Sequence, residues 1–400
     1  MHIMKWKYFL GGMTKVAFII EKFGGTSLAD GERIARAAAI AAAGYLEGHR
    51  IVAVVSAMGD TTDRLISRAR EMGGEGRELD ALMATGEQTS AALMAMCLSG
   101  MGIPAVSLCG WQAGINTDGI YGGAAVKYIE TSRIMSELEH GRLPVIAGFQ
   151  GLGPGRDITT LGRGGSDTTA VELAGALGAD ICRIYTDVPG VCTADPSVVP
   201  EARVIKHLCY DDMLELSRAG AGVLHPGAAE AARRLGVPVR VLASREPEGG
   251  TMIDGNTDHR PEIAGAAIGG STVIISVGSG GDMETRHRLF KRLAGHGVNV
   301  EAVSWGSRLC FAVPSEMKEA AERETERTYP GAWEAREARR LSLVGKAASA
   351  IDPARMIECI GGSGIEPLGV FRSHGSISAL MPEEGAEEGL RALHRRFIEK

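Results

Sequence analysis

From Val16 to about Ile253 short apolar runs alternate with longer runs of helical period. Val16–Ile20, Ile51–Val55, Ala105–Leu108, Val145–Ala147, Asp180–Tyr185 and Val237–Leu242 are almost wholly apolar, the pattern of strands buried on both faces. Glu32–Tyr45, Leu79–Met96, Lys127–Glu139 and Ala170–Leu177 read as helices, with Gly86 interrupting the second. This alternation predicts an α/β fold with a largely parallel sheet sandwiched by helices.

The pattern changes at Ser244–Gly250 and Asp254–Pro261, which are rich in Pro, Gly and charge, as linkers are. Beyond lies a weak internal repeat of strand, helix, strand, strand. Its first copy is Thr272–Val277, Glu284–Ala294, Val298–Ser304 and Leu309–Val313; its second is Leu341–Val344, Pro353–Ile360, Ile365–Phe371 and Ser376–Met381. Two such βαββ copies, each short of a full core, are expected to pack together. The strongly charged stretch Glu316–Arg340 reads as a solvated helix or linker. The expected division is an extension over 1–14, a first domain over 15–255 and a repeat region over 262–400, with copies at about 271–315 and 341–400.

Bulk properties narrow the function only a little. Across 400 residues, 44% are hydrophobic and 23% charged, the balance of an ordinary globular chain. A net charge of -6 and only 5% aromatic residues argue against a nucleic-acid binder. The 7 cysteines are scattered without a Cys-x-x-Cys pair, which suits reduced thiols in a cytoplasm. No apolar run is long enough to span a bilayer, and the first 14 residues lack a signal-peptide pattern.

The densest chemistry lies in Leu161-Gly162-Arg163-Gly164-Gly165-Ser166-Asp167-Thr168-Thr169, which opens into the helical run from Ala170. Glycines let backbone N–H groups approach an anion, and a helix start offers unpaired N–H groups. Arg163 adds a planar fork for a carboxylate or phosphate. Directly after the first strand, Lys22 supplies a point charge, and Gly24, Gly25 and Thr26 a turn suited to phosphate. The same run also reads as a plain glycine-rich turn, and it carries neither a Walker A nor a G-x-G-x-x-G pattern. Val55–Asp63 places Ser56 and Thr62 at a strand's carboxyl end, where open α/β sheets bind ligands. There Asp60 or Thr62 equally suits a helix N-cap. Glu87, in Thr85-Gly86-Glu87-Gln88, is a candidate ammonium ligand or a solvated carboxylate. Thr186 and Asp187, before the Pro189-Gly190 turn, suit a ribose or purine edge or simply the turn. His225 reads as structural, and Met83, Met94 and Met96 as core filling.

Taken together and in this order, these segments resemble the amino-acid kinase family. Lys22–Ser27, Val55–Asp63, Thr85–Gln88, Gly148–Gly151, Thr160–Thr169 and Thr186–Pro196 are similar to the aspartate kinases within it. The resemblance spans about Val16–Ile253, and the tail repeat is similar to that family's paired ACT regulatory domains. It implies Mg-ATP-dependent phosphorylation of the side-chain carboxylate of L-aspartate to 4-phospho-L-aspartate, the first step towards lysine, threonine, methionine and diaminopimelate. By motif, Lys22 would stabilise the transferring phosphoryl group, and Asp167 would organise the cations around it. The Mg2+ would be carried by ATP, near Asp167, with no metal motif of the chain's own. Arg163 would clamp the substrate α-carboxylate and Glu87 its ammonium. Ser56, Thr62, Gly164, Gly165 and Ser166 would line the substrate side. Lys22, Gly24, Gly25, Thr26, Thr186 and Asp187 would hold ATP.

Three departures from the family pattern fall on the implied nucleotide side. Cys192 stands where an aromatic is usual, Ser197 where arginine is usual, and Gly222 where lysine is usual. Each lost cation forfeits a charge-assisted hydrogen bond of about 1.5–3 kcal/mol, with Arg203 and Lys206 as nearby substitutes. In the tail, the family's effector site maps to Ser276–Glu284 and Asn299–Ser304. Trp305, Arg308, Arg372 and His374 stand there in place of small hydroxyl residues. The resemblance further implies a lysine or threonine effector and a homodimer or higher oligomer built through the ACT region. Two other readings stay open: a diverged kinase of another amino acid, and a catalytically weak amino-acid-sensing subunit. Retention of Lys22, Arg163 and Asp167 argues against the last.

Overall fold

The computed structural model describes residues 16–258, 260–278, 281–305, 308–362 and 364–399. The expected extension over 1–14 lies outside them, as do positions 279 and 280 of the implied effector segment. The described chain forms two compact units. The first runs through Val191 and adds Val204–Ser217 and Gly222–His259; the second is Cys192–Arg203, Arg218–Ala221 and the chain from Arg260.

In the first unit the apolar runs become β1 (Phe18–Phe23), β2 (Arg50–Val55), β3 (Ala105–Leu108), β6 (Leu143–Ala147), β9 (Ile181–Thr186) and β11 (Val239–Ala243). With β10 (His207–Cys209) and β12 (Thr251–Asp254) they make an eight-stranded sheet of order β10-β12-β11-β9-β1-β2-β6-β3. All its pairings are parallel except β11 with β12. Helices α1 (Gly31–Leu46) and α3 (Gly76–Gly100) share a core with Ile19, Phe23, Ile51, Val55 and Val145, using small and apolar residues such as Ala38, Ala41, Met94 and Leu98. Truncating Met94 or Leu98 to alanine costs about 2–5 kcal/mol. Helix α2 (Thr61–Glu71) follows β2. Helices α4 (Ser132–Glu139), α5 (Gly165–Leu177), α6 (Tyr210–Ala219) and α7 (Pro226–Leu235) complete the unit, with α5 packed on β1, β9 and α7.

Two local expectations are corrected. Gly86 does not interrupt α3: a Cβ there would lie 2.8 Å from that of Ala57, so glycine lets the helix pass close under the loop after β2. Lys127–Glu139 is not one helix, because β5 (Val126–Ile129) pairs with β4 (Ile115–Thr117) before α4 begins. Those strands join β7 (Gln150–Leu152) and β8 (Ile158–Thr160) in a four-stranded side sheet of order β5-β4-β7-β8.

In the second unit each repeat carries a closing helix, giving βαββα. The first copy is β13 (Gly265–Val277), α8 (Met283–Gly295), β14 (Ala302–Trp305), β15 (Leu309–Pro314) and α9 (Lys318–Thr328). The second is β16 (Trp333–Val344), α10 (Pro353–Gly361), β17 (Gly369–Arg372), β18 (Ser376–Met381) and α11 (Ala386–Phe397). The strands form one antiparallel sheet, β14-β15-β13-β16-β18-β17. Glu316–Arg340 is therefore no linker, and only its first half is a helix, packed on one face. It holds α9, which buries Ala321 and Thr325, and much of β16, at the middle of that sheet. Its charges misled because they are paired: buried Glu324 accepts from Arg292 and Arg327, each at 2.8 Å.

Residues 192–203 also fold here. Ala194 and Val199 enter the second repeat's core, Thr193 Oγ1 meets His394 Nε2 at 2.9 Å, and Arg391 donates to the Val198 carbonyl at 3.0 Å. Cys192, Ser197 and Arg203 thus fold in the second unit, while Gly222 and Lys206 lie in the first. Among the described residues no helix is long and apolar enough to cross a membrane.

Candidate active site

Strand alternation sends Ile19 and Phe23 towards α1 and α3, and Lys22 the other way, towards α5. Lys22 is buried and ion-paired to Asp167, in the first turn of α5. That pair stands where β1 ends. Next to it, Gly24 donates its N–H to the Tyr185 carbonyl at 3.1 Å, so Gly24 shapes the turn, its N–H already engaged. The short turn Gly25–Leu28 follows, and the leading N–H groups of such a turn lack partners within it. A Cβ on Gly25 would lie 2.8 Å from the Ala57 carbonyl oxygen, and Gly59 N–H donates to the Gly25 carbonyl at 3.0 Å. The loops after β1 and β2 are thereby joined backbone to backbone, with Ser56 half-buried between them.

The loop into α5 is tightly built. Gly164 is its N-cap with φ 66°, and a Cβ there would collide with His225, 2.2 Å away. Gly165 would meet Phe149 at 2.8 Å, and a Cβ on Gly148 would meet buried Ser166 at 2.8 Å. Phe149 itself is left-handed, at φ 68°, which costs of order 1–3 kcal/mol. Thr169 Oγ1 holds it by accepting the Phe149 N–H at 3.0 Å, and Leu161 N–H donates to the Phe149 carbonyl at 2.9 Å. His225 caps α7 by accepting Gly227 N–H at 3.2 Å, and burial pushes its pKa down, partly offset by Asp167. Arg163 is exposed and in no ion pair among the described residues.

On α3, beneath the loop after β2, stands Glu87. It is 3% exposed, so the reading as a solvated carboxylate falls. One carboxylate oxygen accepts the Ala57 N–H at 3.0 Å, while Oε2 is buried with no partner. Burial pushes its pKa up to about 7, and the Ala57 N–H pulls it back only in part. An unpartnered buried carboxylate oxygen is costly to keep, which marks a group awaiting a cationic donor. Nearby, Gln88 donates to Gln150 at 3.2 Å, and Gln150 to the Ala84 carbonyl at 2.9 Å.

A cavity of about 370 Å³ gathers Thr26, Thr186 and Asp187, with Arg33, Arg36 and Arg245 on its wall. Ser244 binds it together, donating to the Thr186 carbonyl at 3.0 Å and accepting from Ser27 at 3.0 Å. The predicted residues therefore fall into three groups. Lys22, Asp167, Gly164, Gly165 and Ser166 stand together. Gly24 borders Lys22, while Gly25 and Ser56 meet Glu87 through Ala57. Thr26, Thr186 and Asp187 share the cavity. Thr62 is half-buried at the second position of α2, with no side-chain hydrogen bond among the described residues. Asp60 is the helix N-cap but makes no capping bond. Phe149, Gln150 and Thr169 lie within the sequence motifs but carry no role there; the signal for one is the pair of glycines enclosing Phe149-Gln150. Among the described residues no three His, Cys, Asp or Glu side chains form a metal-binding group.

Residues 17–243 match the model of the amino acid kinase family. Aspartokinase 2 of Bacillus subtilis (strain 168) is 46% identical over 293 residues, 72% of each chain. An aspartokinase of Thermus thermophilus is 39% identical over 403 residues, covering 96% of this chain and 99% of the relative. In fold, this chain is similar to Escherichia coli aspartokinase III in complex with aspartate and ADP, with TM-score 0.84 at 24% identity, covering 96% of this chain and all of that one. The chain belongs to the amino acid kinase family and, within it, to the aspartokinases.

Proposed function

We infer that this kinase transfers the γ-phosphoryl group of ATP to the side-chain carboxylate of L-aspartate, yielding 4-phospho-L-aspartate and ADP. The observation that carries this reading is the pairing of Lys22 with Asp167 at the end of a parallel strand, together with a buried carboxylate, Glu87, that is held by the loop after the neighbouring strand β2 and has one oxygen unclaimed. An acceptor carboxylate is ionised at neutral pH, so the reaction needs no strong base. What it needs is cation placement: an aspartate oxygen bonds to the γ-phosphorus while the bond to the β-phosphate oxygen breaks. Lys22 places its ammonium against the charge on the transferring group, and Asp167 holds that ammonium in place. Arg163 takes the substrate α-carboxylate and Glu87 its α-ammonium. Ser56, Thr62, Ser166 and the Gly164-Gly165 backbone line the acceptor side. The turn from Gly25 takes phosphate, and Thr26, Thr186 and Asp187 the nucleoside. Mg2+ bound with the nucleotide would supply charge neutralisation on the phosphates, and Asp167 is the carboxylate that would meet it. The second unit is read as a sensor of an amino acid, lysine or threonine, in a homodimer or higher oligomer.

The test supplies Mg-ATP, hydroxylamine and a panel of amino acids to the purified chain and measures acyl hydroxamate. Aspartyl hydroxamate, reduced by added lysine or threonine, is the expected result. Product from another acid alone would overturn the choice of acceptor. A second expectation concerns the missing cation. Gly222 has open space where a side chain would project. Gly222→Lys should lower KM for ATP by about tenfold, the worth of one charge-assisted hydrogen bond. An unchanged KM would remove position 222 from the nucleotide side.

A further inference from the structure

One buried carboxylate in the first unit touches none of the residues assigned above, yet it joins the elements that carry two of them. Asp80, on the first turns of α3, is 1% exposed. Both its oxygens accept the Gly122 N–H at 3.0 Å. Thr160 donates its backbone N–H at 2.7 Å and its hydroxyl at 2.9 Å. These partners lie in separate segments, the turn before β5 and the last residue of β8, and the segments are tied to each other: Ala124 N–H donates to the Thr160 carbonyl at 2.9 Å. A Cβ on Gly162 would lie 3.2 Å from the Gly122 carbonyl oxygen, so the clamped backbone also packs against the start of the Arg163 loop.

Arg163 follows Thr160 by three positions. Glu87 follows Asp80 by seven, which on a helix is two turns along the same face, about 10 Å away. One helix therefore carries Glu87 directly and anchors the Arg163 loop through Asp80. A charge with several well-placed donors is worth far more than a neutral pair, and its geometry is correspondingly stiff.

We propose that Asp80 is a positioning residue for acceptor recognition: it fixes Arg163 relative to Glu87, and so sets the spacing at which the carboxylate and ammonium of an α-amino acid are gripped. The proposal rests on the assignment of Arg163 and Glu87 to the two ends of the acceptor. Asp80→Asn keeps the shape but removes the charge and leaves a single oxygen for the Gly122 and Thr160 N–H groups, with an amide N–H2 towards the Thr160 hydroxyl. The loop then relaxes, and Arg163 loses its alignment.

The experiment is a double-mutant cycle on the full chain, with Asp80→Asn and Arg163→Ala singly and together, read as kcat/KM for aspartate and KM for ATP. Asp80→Asn is expected to raise KM for aspartate about tenfold or more, with KM for ATP within about twofold. Arg163→Ala should cost at least about tenfold in the wild-type background and under about threefold in the Asp80→Asn background. Equal cost in both backgrounds, or a parallel rise of both KM values, overturns the proposal, since a merely structural role gives that pattern. If Asp80→Asn does not fold, Thr160→Val, which removes one hydroxyl donor, takes its place in the cycle with the same criterion. If the wild-type chain turns over another amino acid and not aspartate, the aspartate reading fails, while the cycle run with that acid still decides on Asp80. No turnover and no binding of any amino acid overturns both.

Discussion

Replacing Glu87 with glutamine is expected to raise KM for aspartate about a hundredfold or more at pH 8, and at the same time to stabilise the unliganded protein. Both effects have one cause. The Glu87 carboxyl has an ordinary value of 4.5, and burial pushes it up to about 7 in the fold. Between pH 4.5 and 7 the folded chain therefore holds a proton that the unfolded chain has released. The stability this confers is complete below pH 4.5 and is lost as pH rises to 7. Above that, the folded state carries a buried charge at a cost of order 3 kcal/mol. Glutamine keeps an acceptor for the Ala57 N–H and carries no charge. Its gain should show in unfolding curves above pH 7 and vanish near pH 4.5. The binding loss follows from removing the carboxylate that meets the substrate ammonium, about 2.7 kcal/mol for a hundredfold. In the wild-type enzyme the same titration makes KM for aspartate climb as pH falls below 7. Unchanged KM and unchanged melting in Glu87→Gln would take this residue out of the site.

The second large effect is on turnover. Lys22→Ala should lower kcat by about a thousandfold while leaving aspartate binding nearly intact, because its ammonium acts on charge that develops in transfer. Alanine also strands Asp167, and breaking a buried pair costs about 3–5 kcal/mol. A loss of activity could then be blamed on folding. Lys22→Arg separates the two, since it keeps the ion pair and hence the melting temperature. It should still fall about a hundredfold or more in kcat, because a planar fork cannot put a compact charge at the same point. Near-wild-type turnover in Lys22→Arg with normal melting would refute the role given to Lys22.

Much of the fold was legible because its strands are buried on both faces. Runs such as Ile51–Val55 have one plausible use, and the structure puts them at the centre of the sheet. The side sheet was not legible. Its strands are three or four residues long, too short to show a period. The stretch before Leu341 misleads for a different reason: its polarity suggests solvation, whereas β16 lies inside the sheet and Glu324 is neutralised by Arg292 of α8 and by Arg327 of its own helix. In the site, glycines and charged residues announced themselves at Gly162–Asp167. Burial did not. Nothing local separates a carboxylate on a wet helix face from Glu87, whose isolation depends on Ala57 thirty residues away. Asp80 was silent for the same reason, its partners lying 42 and 80 positions on.

The seam between the two repeats has a consequence for how the second unit behaves as matter. β13 and β16 pair from Gly265–Val344 to Val277–Trp333, interrupted only by a bulge between Ile268 and Ser271. Each repeat thus completes its neighbour's hydrogen-bond ladder, and neither owns a finished edge at the join. Unzipping one strand would expose a long row of bare amides on the other, so the pair melts together or not at all. The repeats look like two beads on a string in the sequence, but mechanically they are one plate.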